Sequence, residues 1–253
     1  MTQQPTAGTW LATVRRAAGL TQVDTAWRAG ITVRAYQAIE AGRRPTPKTM
    51  HAIATTLGLD PAGRRHLDRL MHPPRTAPAP PPADHLHQLL AHISAPAWAV
   101  DPAWTVLAAS PSAPATPANL ALWAIDAAAK FDDWPRVSAE LVARTRSTLS
   151  WYETAGESVQ SVVTAIREAS PAADLAWSAG RVADVPHREV LAFAGRSLTL
   201  HWASVGDDPS ARLVVITGRN ARHSDGSHPQ CVVPNVPLRT TAPGRPPSPA
   251  EAQ

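Results

Sequence analysis

A proline run divides this chain. Residues 72–84, HPPRTAPAPPPAD, hold six prolines and nothing apolar beyond alanine. Proline fixes φ and has no amide hydrogen, so the stretch cannot propagate a helix and is expected to run extended as a semi-rigid spacer. Residues 1–71 before it are expected to form one small domain, and residues 85–218 after it a second of ordinary size. From residue 219 to residue 253 the composition turns to Pro, Ser, Gly, Asn and Thr without apolar periodicity, and a disordered tail is expected. No internal repeat is visible.

Charge is spread unevenly. Residues 1–75 carry eleven Lys or Arg against four Asp or Glu, whereas residues 76–253 carry 13 against 16. A compact basic end on a weakly acidic body suits a nucleic-acid-binding module joined to a second domain, although merely solvated arginines would give the same count. No apolar run approaches the roughly 18 residues of a membrane span. The opening MTQQPTAGTW lacks the basic start and apolar stretch of a secretory signal, so a cytoplasmic protein without a membrane partner is expected. The single cysteine, Cys231, can form neither an internal disulfide nor a thiolate metal site.

Five helical segments are expected in the first domain. Leu11, Val14 and Ala18 line the first, which Gly19 stops. Thr21 caps the second, with Asp24 in the place of a capping-box acid, and Gly30 closes it. Thr32 caps the third, whose Tyr36 and Ile39 point inward and which ends at Gly42. Thr46 and Pro47 start a fourth with Met50, Ile53, Ala54 and Leu57 on one face. Asp60 and Pro61 start a fifth that buries Leu67, Leu70 and Met71. Only Gly30 and Ile31 separate the second and third helices, a tight corner between angled helices.

The run Leu20-Thr21-Gln22, Ala26, Ala29-Gly30-Ile31-Thr32, Tyr36, Ile39-Glu40 and Gly42-Arg43 resembles the phage-repressor-type (Xre/Cro-like) helix-turn-helix DNA-binding domain over roughly residues 9–71. The resemblance implies a third helix presented to the major groove of double-stranded DNA, with Thr32, Val33, Arg34 and Gln37 at its leading, exposed positions. Arg34 can reach guanine O6 and N7, Gln37 can pair with adenine, and Val33 can touch a thymine methyl. Thr21 and Gln22, opening the preceding helix, with Arg43 and Lys48 beyond the third, are expected at phosphates. It also implies that Arg15 and Glu40 lock helices together. Two positions depart from the family pattern: Thr25, usually Leu or Val, and Trp27, usually a solvated side chain. An exposed Trp27 would mark a contact surface.

In the second domain Leu86, Leu89, Leu90 and Ile93 begin a helix, and residues 98–101 and 104–107 read as short strands around an Asp-Pro turn. Val137, Leu141 and Leu149 sit on one side of a helix whose other side carries Arg136, Glu140 and Arg144 as an i, i+4 charge ladder. Val159, Val162, Val163 and Ile166 mark another helix, and Ser170-Pro171 starts a third with Leu175 and Trp177. Strands over 189–194, 197–204 and 212–217 finish the domain, with Leu198, Leu200 and Trp202 on one face and Thr199, His201 and Ala203 on the other. The fold class expected is mainly α plus α+β: a five-helix repressor-type domain, then an antiparallel sheet covered on one face by helices.

Pro96-Ala97-Trp98, Trp104-Thr-Val-Leu107, Phe131-Asp-Asp-Trp134, Leu175-Ala-Trp177, Leu198-Thr-Leu200, Asp208-Pro209 and Arg212 through Thr217 resemble the carboxy-terminal domain of MmyB-like transcription regulators. The resemblance implies a PAS-like fold and a fatty-acid-like ligand. Seven of the nine tryptophans lie in this domain. Trp98, Trp104, Trp123, Trp134 and Trp202 are candidates to line an apolar ligand cavity, the alternative being that they fill the core.

There is no Gly-rich phosphate loop, no HExxH and no GxSxG, so neither an enzyme nor a cofactor is expected. His85, His87 and His92 do not share one helical face, which argues against a metal site. Asp132-Asp133 and Asp207-Asp208 read as a helix cap and a turn rather than an acid-base pair. The residues and resemblances together imply a sequence-specific DNA-binding regulator, homodimeric because one helix-turn-helix reads a half-site, that senses a small apolar molecule. The alternative is a protein-interaction adaptor with a degenerate helix-turn-helix and a tryptophan-rich docking domain.

Overall fold

The computed structural model describes residues 6–72, 81–114, 116–149, 156–204 and 211–219. Its first part is a bundle of α1 (Ala7–Ala17), α2 (Gln22–Arg28), α3 (Val33–Glu40), α4 (Pro47–Thr56) and α5 (Pro61–Met71). Each starts the same way. The side chains of Thr6, Thr21, Thr32, Thr46 and Asp60 accept from the backbone amide three residues on, satisfying a donor that the helix leaves open. At Thr21 the arrangement is reciprocal, because Asp24 accepts from the Thr21 amide. Gly30 takes φ +68° at the corner between α2 and α3, a conformation that side chains rarely adopt.

Trp10, Leu11, Tyr36, Ile39, Ile53 and Leu67 form the core of this bundle. Ala18, expected to face inward, is instead exposed, because α1 ends at Ala17 and Ala18 is its cap. Trp10 takes the inward place. Gly8 lets α1 and α3 touch backbone to backbone: a Cβ there would stand 2.7 Å from the Glu40 carbonyl carbon and 2.9 Å from the Ile39 oxygen.

The second part comprises α6 (Ala83–Ala91), β1 (Ala97–Val100), β2 (Val106–Ala109), α7 (Leu120–Asp126), a 3-10 turn (Ala128–Lys130), α8 (Trp134–Leu149), α9 (Gly156–Ala169), α10 (Pro171–Ser178), β3 (Arg188–Phe193), β4 (Arg196–Ser204) and β5 (Arg212–Arg219). The helix α6 starts at Ala83, inside the expected spacer, of which residues 73–80 lie outside the described residues, as do Asp207-Asp208 and residues 220–253. The five strands form one antiparallel sheet in the order β2-β1-β5-β4-β3.

Several expectations are corrected. The strands expected over 98–101 and 104–107 run over 97–100 and 106–109. Between them Asp101 holds a wider loop, its Oδ1 accepting from the Thr105 amide at 2.8 Å, with Trp104 in the left-handed region at φ 68°. The sheet is covered on both faces over part of its width. Leu198 and Trp202 face the main core, but Leu86 and Leu90 of α6, both fully buried, cover Ala97, Ala99 and Ala108 on the other side. Leu89 is exposed.

The charge ladder on α8 does not form. Arg144 is buried and pairs across to Glu189 at 2.7 Å, Glu140 pairs with Arg181, and Arg136 pairs with Asp133. An i, i+4 ladder needs a solvated helix face. Here α8 packs against α9 and α10 and reaches β3 through Arg144, so its charges find tertiary partners. Leu175, expected with Trp177 on α10, is 72% exposed.

The connection from α10 to β3, residues 179–187, docks on the helical bundle. Trp10 Nε1 donates to the Gly180 carbonyl at 3.0 Å, Val182 is buried in the bundle's own core, and Asp184 pairs with Arg65. Arg146 stiffens this strap from behind. It lies 3.7 Å above the Trp177 ring and donates to the Trp177 and Arg181 carbonyls, and burial pushes its pKa down to about 9.

His66 of α5 is wholly buried with its ring 4.9 Å from that of Trp10. Burial first, then the charges of Arg146 and Arg69, pushes its pKa down to about 3, so it is neutral in the fold. The unfolded chain binds this proton below about pH 6.5 and the folded one does not. Stability is therefore expected to fall with acid between about pH 6.5 and pH 3, by about 1.4 kcal/mol per unit within that window. Urea unfolding across this range should show the slope, and His66→Leu should flatten its upper part.

Candidate nucleic-acid interface

The third helix and its flanks carry the candidate interface. Thr32 caps α3, its Oγ1 accepting from the Ala35 amide at 3.2 Å. Arg34 and Gln37 stand exposed on the outer face, while Tyr36 and Ile39 turn inward. Val33 is only half exposed and packs against the bundle core, so its methyls are partly committed to structure.

Beneath α3 runs a polar chain that fixes the two helices of the motif. Arg15 Nε donates to Glu40 Oε1 at 2.7 Å, Gln22 Nε2 donates to Glu40 Oε2 at 2.7 Å, and Gln37 Nε2 donates to Gln22 Oε1 at 3.3 Å. Burial acts to raise the Glu40 pKa, but the hydrogen bonds from Arg15 and Gln22 outweigh it and leave the carboxyl below its ordinary value. The expected Arg15–Glu40 lock is present. Gln22 is half-buried, and its amide bridges Glu40 to the outward Gln37.

Thr21 is exposed at the start of α2, with its hydroxyl on Asp24. Arg43 and Lys48 are exposed and, among the described residues, neither is in an ion pair; the same holds for Arg34. Unneutralised cations beside an exposed helix face suit a polyanion. Arg44 and Arg28 are exposed in the same way and were missed. The run Gly42-Arg43-Arg44 was the available signal for the first, and the last-turn position of Arg28 on a short helix gave none. Thr25 is fully buried, but its hydroxyl donates to the Thr21 carbonyl at 2.9 Å and so has its partner. Trp27 is 82% exposed, with Val23 beside it on α2 also exposed.

The second domain holds a cavity of about 90 Å³ between the inner sheet face and helices α7 and α8. Of the five candidate tryptophans, Trp104, Trp123 and Trp202 line it. Trp98 and Trp134 do not. Trp98 is buried in the surrounding core, and Trp134 lies tilted against Phe131, ring centroids 5.6 Å apart. Trp104 is fixed by its Nε1–H on Thr145 and packs edge-on against Trp202. Among the described residues the only charged ones in the lining are Arg144 and Glu189, which sequence reasoning placed on a solvated ladder or passed over.

Among the described residues no group of His, Cys, Asp or Glu could hold a metal ion. No helix among them is long and apolar enough to cross a membrane. A search of curated proteins found no match. Residues 7–67 match the family model of a helix-turn-helix domain, which, with the α2–α3 geometry, supports a DNA-binding regulator.

Proposed function

We propose that this chain is a sequence-specific transcriptional regulator that binds double-stranded DNA as a homodimer and senses a small apolar molecule in its second domain. The observation that carries the reading is the exposed start of α3, with Arg34 and Gln37 outward and Arg43 and Lys48 unpaired beside it. A helix so presented enters a major groove about 12 Å wide, and its first side chains meet base edges. One such helix spans a half-site, and two related by a dyad read half-sites about 34 Å apart. The apolar cavity supports the sensor role, since a ligand acts by binding two arrangements of the dimer unequally. The MmyB-like resemblance adds that the ligand is fatty-acid-like.

Mobility-shift titration over a selected operator tests the first part. Arg43→Ala is expected to lower affinity alike for all sequences and to reduce the salt slope by about one. Arg34→Ala is expected to cost about 1–3 kcal/mol and to relax preference at one position. Unchanged binding by the double variant would leave the DNA reading without support. The exposed Val23 and Trp27 favour the adaptor as a second reading, in which α2 docks a protein and α3 reads nothing.

A further inference from the structure

The walls of the second-domain cavity have a one-sided polar chemistry. Fourteen of the sixteen described residues that line it are apolar or tryptophan, and the other two, Arg144 and Glu189, face each other at 2.7 Å with about a tenth of each side chain exposed. Glu189 is engaged on both oxygens, Oε2 by Arg144 and Oε1 by Arg136 at 3.7 Å. Arg144 is not: its Nε is buried without a partner. So is Nε1 of Trp202, another lining residue. Every buried side-chain polar atom left over among the described residues of this domain, Trp98 and Trp134 included, is an N–H donor. Two of these donors, Arg144 Nε and Trp202 Nε1, belong to residues of the cavity lining, and an unmet buried donor is costly.

The acceptor it suits carries no charge. The Arg144 cation is already balanced by Glu189, so a carboxylate entering here would either expel Glu189 or sit as an unpaired anion among apolar side chains. A carbonyl oxygen accepts from N–H groups without either penalty. Size points the same way. The cavity is smaller than the roughly 150 Å³ apolar cavity that takes benzene, so about six heavy atoms are the most that it would hold without widening.

We propose that the cavity binds a short uncharged carbonyl compound, its apolar body against Trp104, Trp123 and Leu198 and its oxygen accepting from Arg144 Nε–H and Trp202 Nε1–H. This rests on the sensor reading above, that a small apolar molecule binds in this domain, and replaces its fatty-acid-like ligand with an uncharged carbonyl compound. Charge at the head of the ligand, more than its length, sets selectivity.

Nitrogen-15 NMR titration of the full chain with pentan-2-one, butanoate and n-pentane tests it, because the Trp202 indole N–H reports its own hydrogen bond. Pentan-2-one should shift that resonance downfield and bind at least about tenfold more tightly than butanoate or pentane. Arg144→Lys keeps a cation for Glu189 but removes Nε–H, and Trp202→Phe keeps a ring but removes Nε1–H. Each should weaken pentan-2-one about tenfold while the first domain's amide spectrum stays unchanged. Glu189→Gln frees the Arg144 charge and should tighten butanoate by a similar factor. Butanoate equalling or outcompeting pentan-2-one in the unaltered protein would overturn the proposal and leave the sensor reading standing. No shift with any probe at millimolar concentration would overturn both.

Discussion

Gly8→Ala is expected to unfold the first domain at temperatures where the unaltered chain is stable. The added methyl would lie against the Glu40 carbonyl oxygen, 2.7 Å from its carbon and 2.9 Å from the Ile39 oxygen, and all three atoms are backbone. A flexible side chain could swing away from such a clash, but the end of a helix cannot. Relief requires α1 to back off from α3, which opens the core around Trp10 and Leu11 and pulls Arg15 from Glu40. The cost should be about 3–5 kcal/mol, a large part of the 5–15 kcal/mol that holds a typical domain together. For a domain of this size that lowers the melting temperature by roughly 15–30 °C, readable by circular dichroism. A melt like that of the unaltered chain would mean that α1 is free to move, and that the lock between Arg15 and Glu40 carries less of the geometry of α3 than the structure assigns to it.

Val182→Asp should be as damaging by another route. Val182 belongs to the second domain in sequence, yet it is 7% exposed within the core of the first. A carboxylate there enters a cluster of apolar side chains, and burying it unpaired is expected to cost about 3–5 kcal/mol or to be avoided by undocking. Undocking also breaks the Trp10 bond to Gly180 and the Arg65–Asp184 pair. Calorimetry should then resolve two transitions where the unaltered chain gives one, and limited proteolysis should cut within residues 179–187. A single, unshifted transition would show that the strap contributes nothing to the first domain.

What the sequence made legible was local. The starts of α2 to α5 were readable because a cap and the amide it accepts from are three residues apart, as at Thr21 and Asp24; the Thr6 cap of α1 was not read. Alternation placed Leu198 and Trp202 on the core side of β4 for the same reason. The Arg15–Glu40 pair spans 25 positions and was available only through the resemblance. Where no resemblance reached, long-range partners were invisible. Arg144 read as a surface charge because its four-residue neighbours were visible and Glu189, 45 positions away, was not. Trp104 read as strand because its left-handed backbone follows from a hydrogen-bonded loop set by Asp101 rather than from residue type. The exposed face of α3 was legible in the sequence, whereas the Gln37–Gln22–Glu40 chain beneath it emerged only when α2 and α3 were folded together.

The docking of residues 179–187 has a consequence for biosynthesis. Trp10 leaves the ribosome 170 residues before the carbonyl that receives its indole proton. At about 5–20 residues per second, roughly 10–35 seconds pass in which the newborn bundle has no lid over that ring. A messenger broken before codon 182 therefore yields a product that has every residue of the exposed α3 face but an unfinished interior, the kind of bared apolar patch that cellular proteases and chaperones engage. Premature products of this gene would thus be marked for clearance rather than left to accumulate.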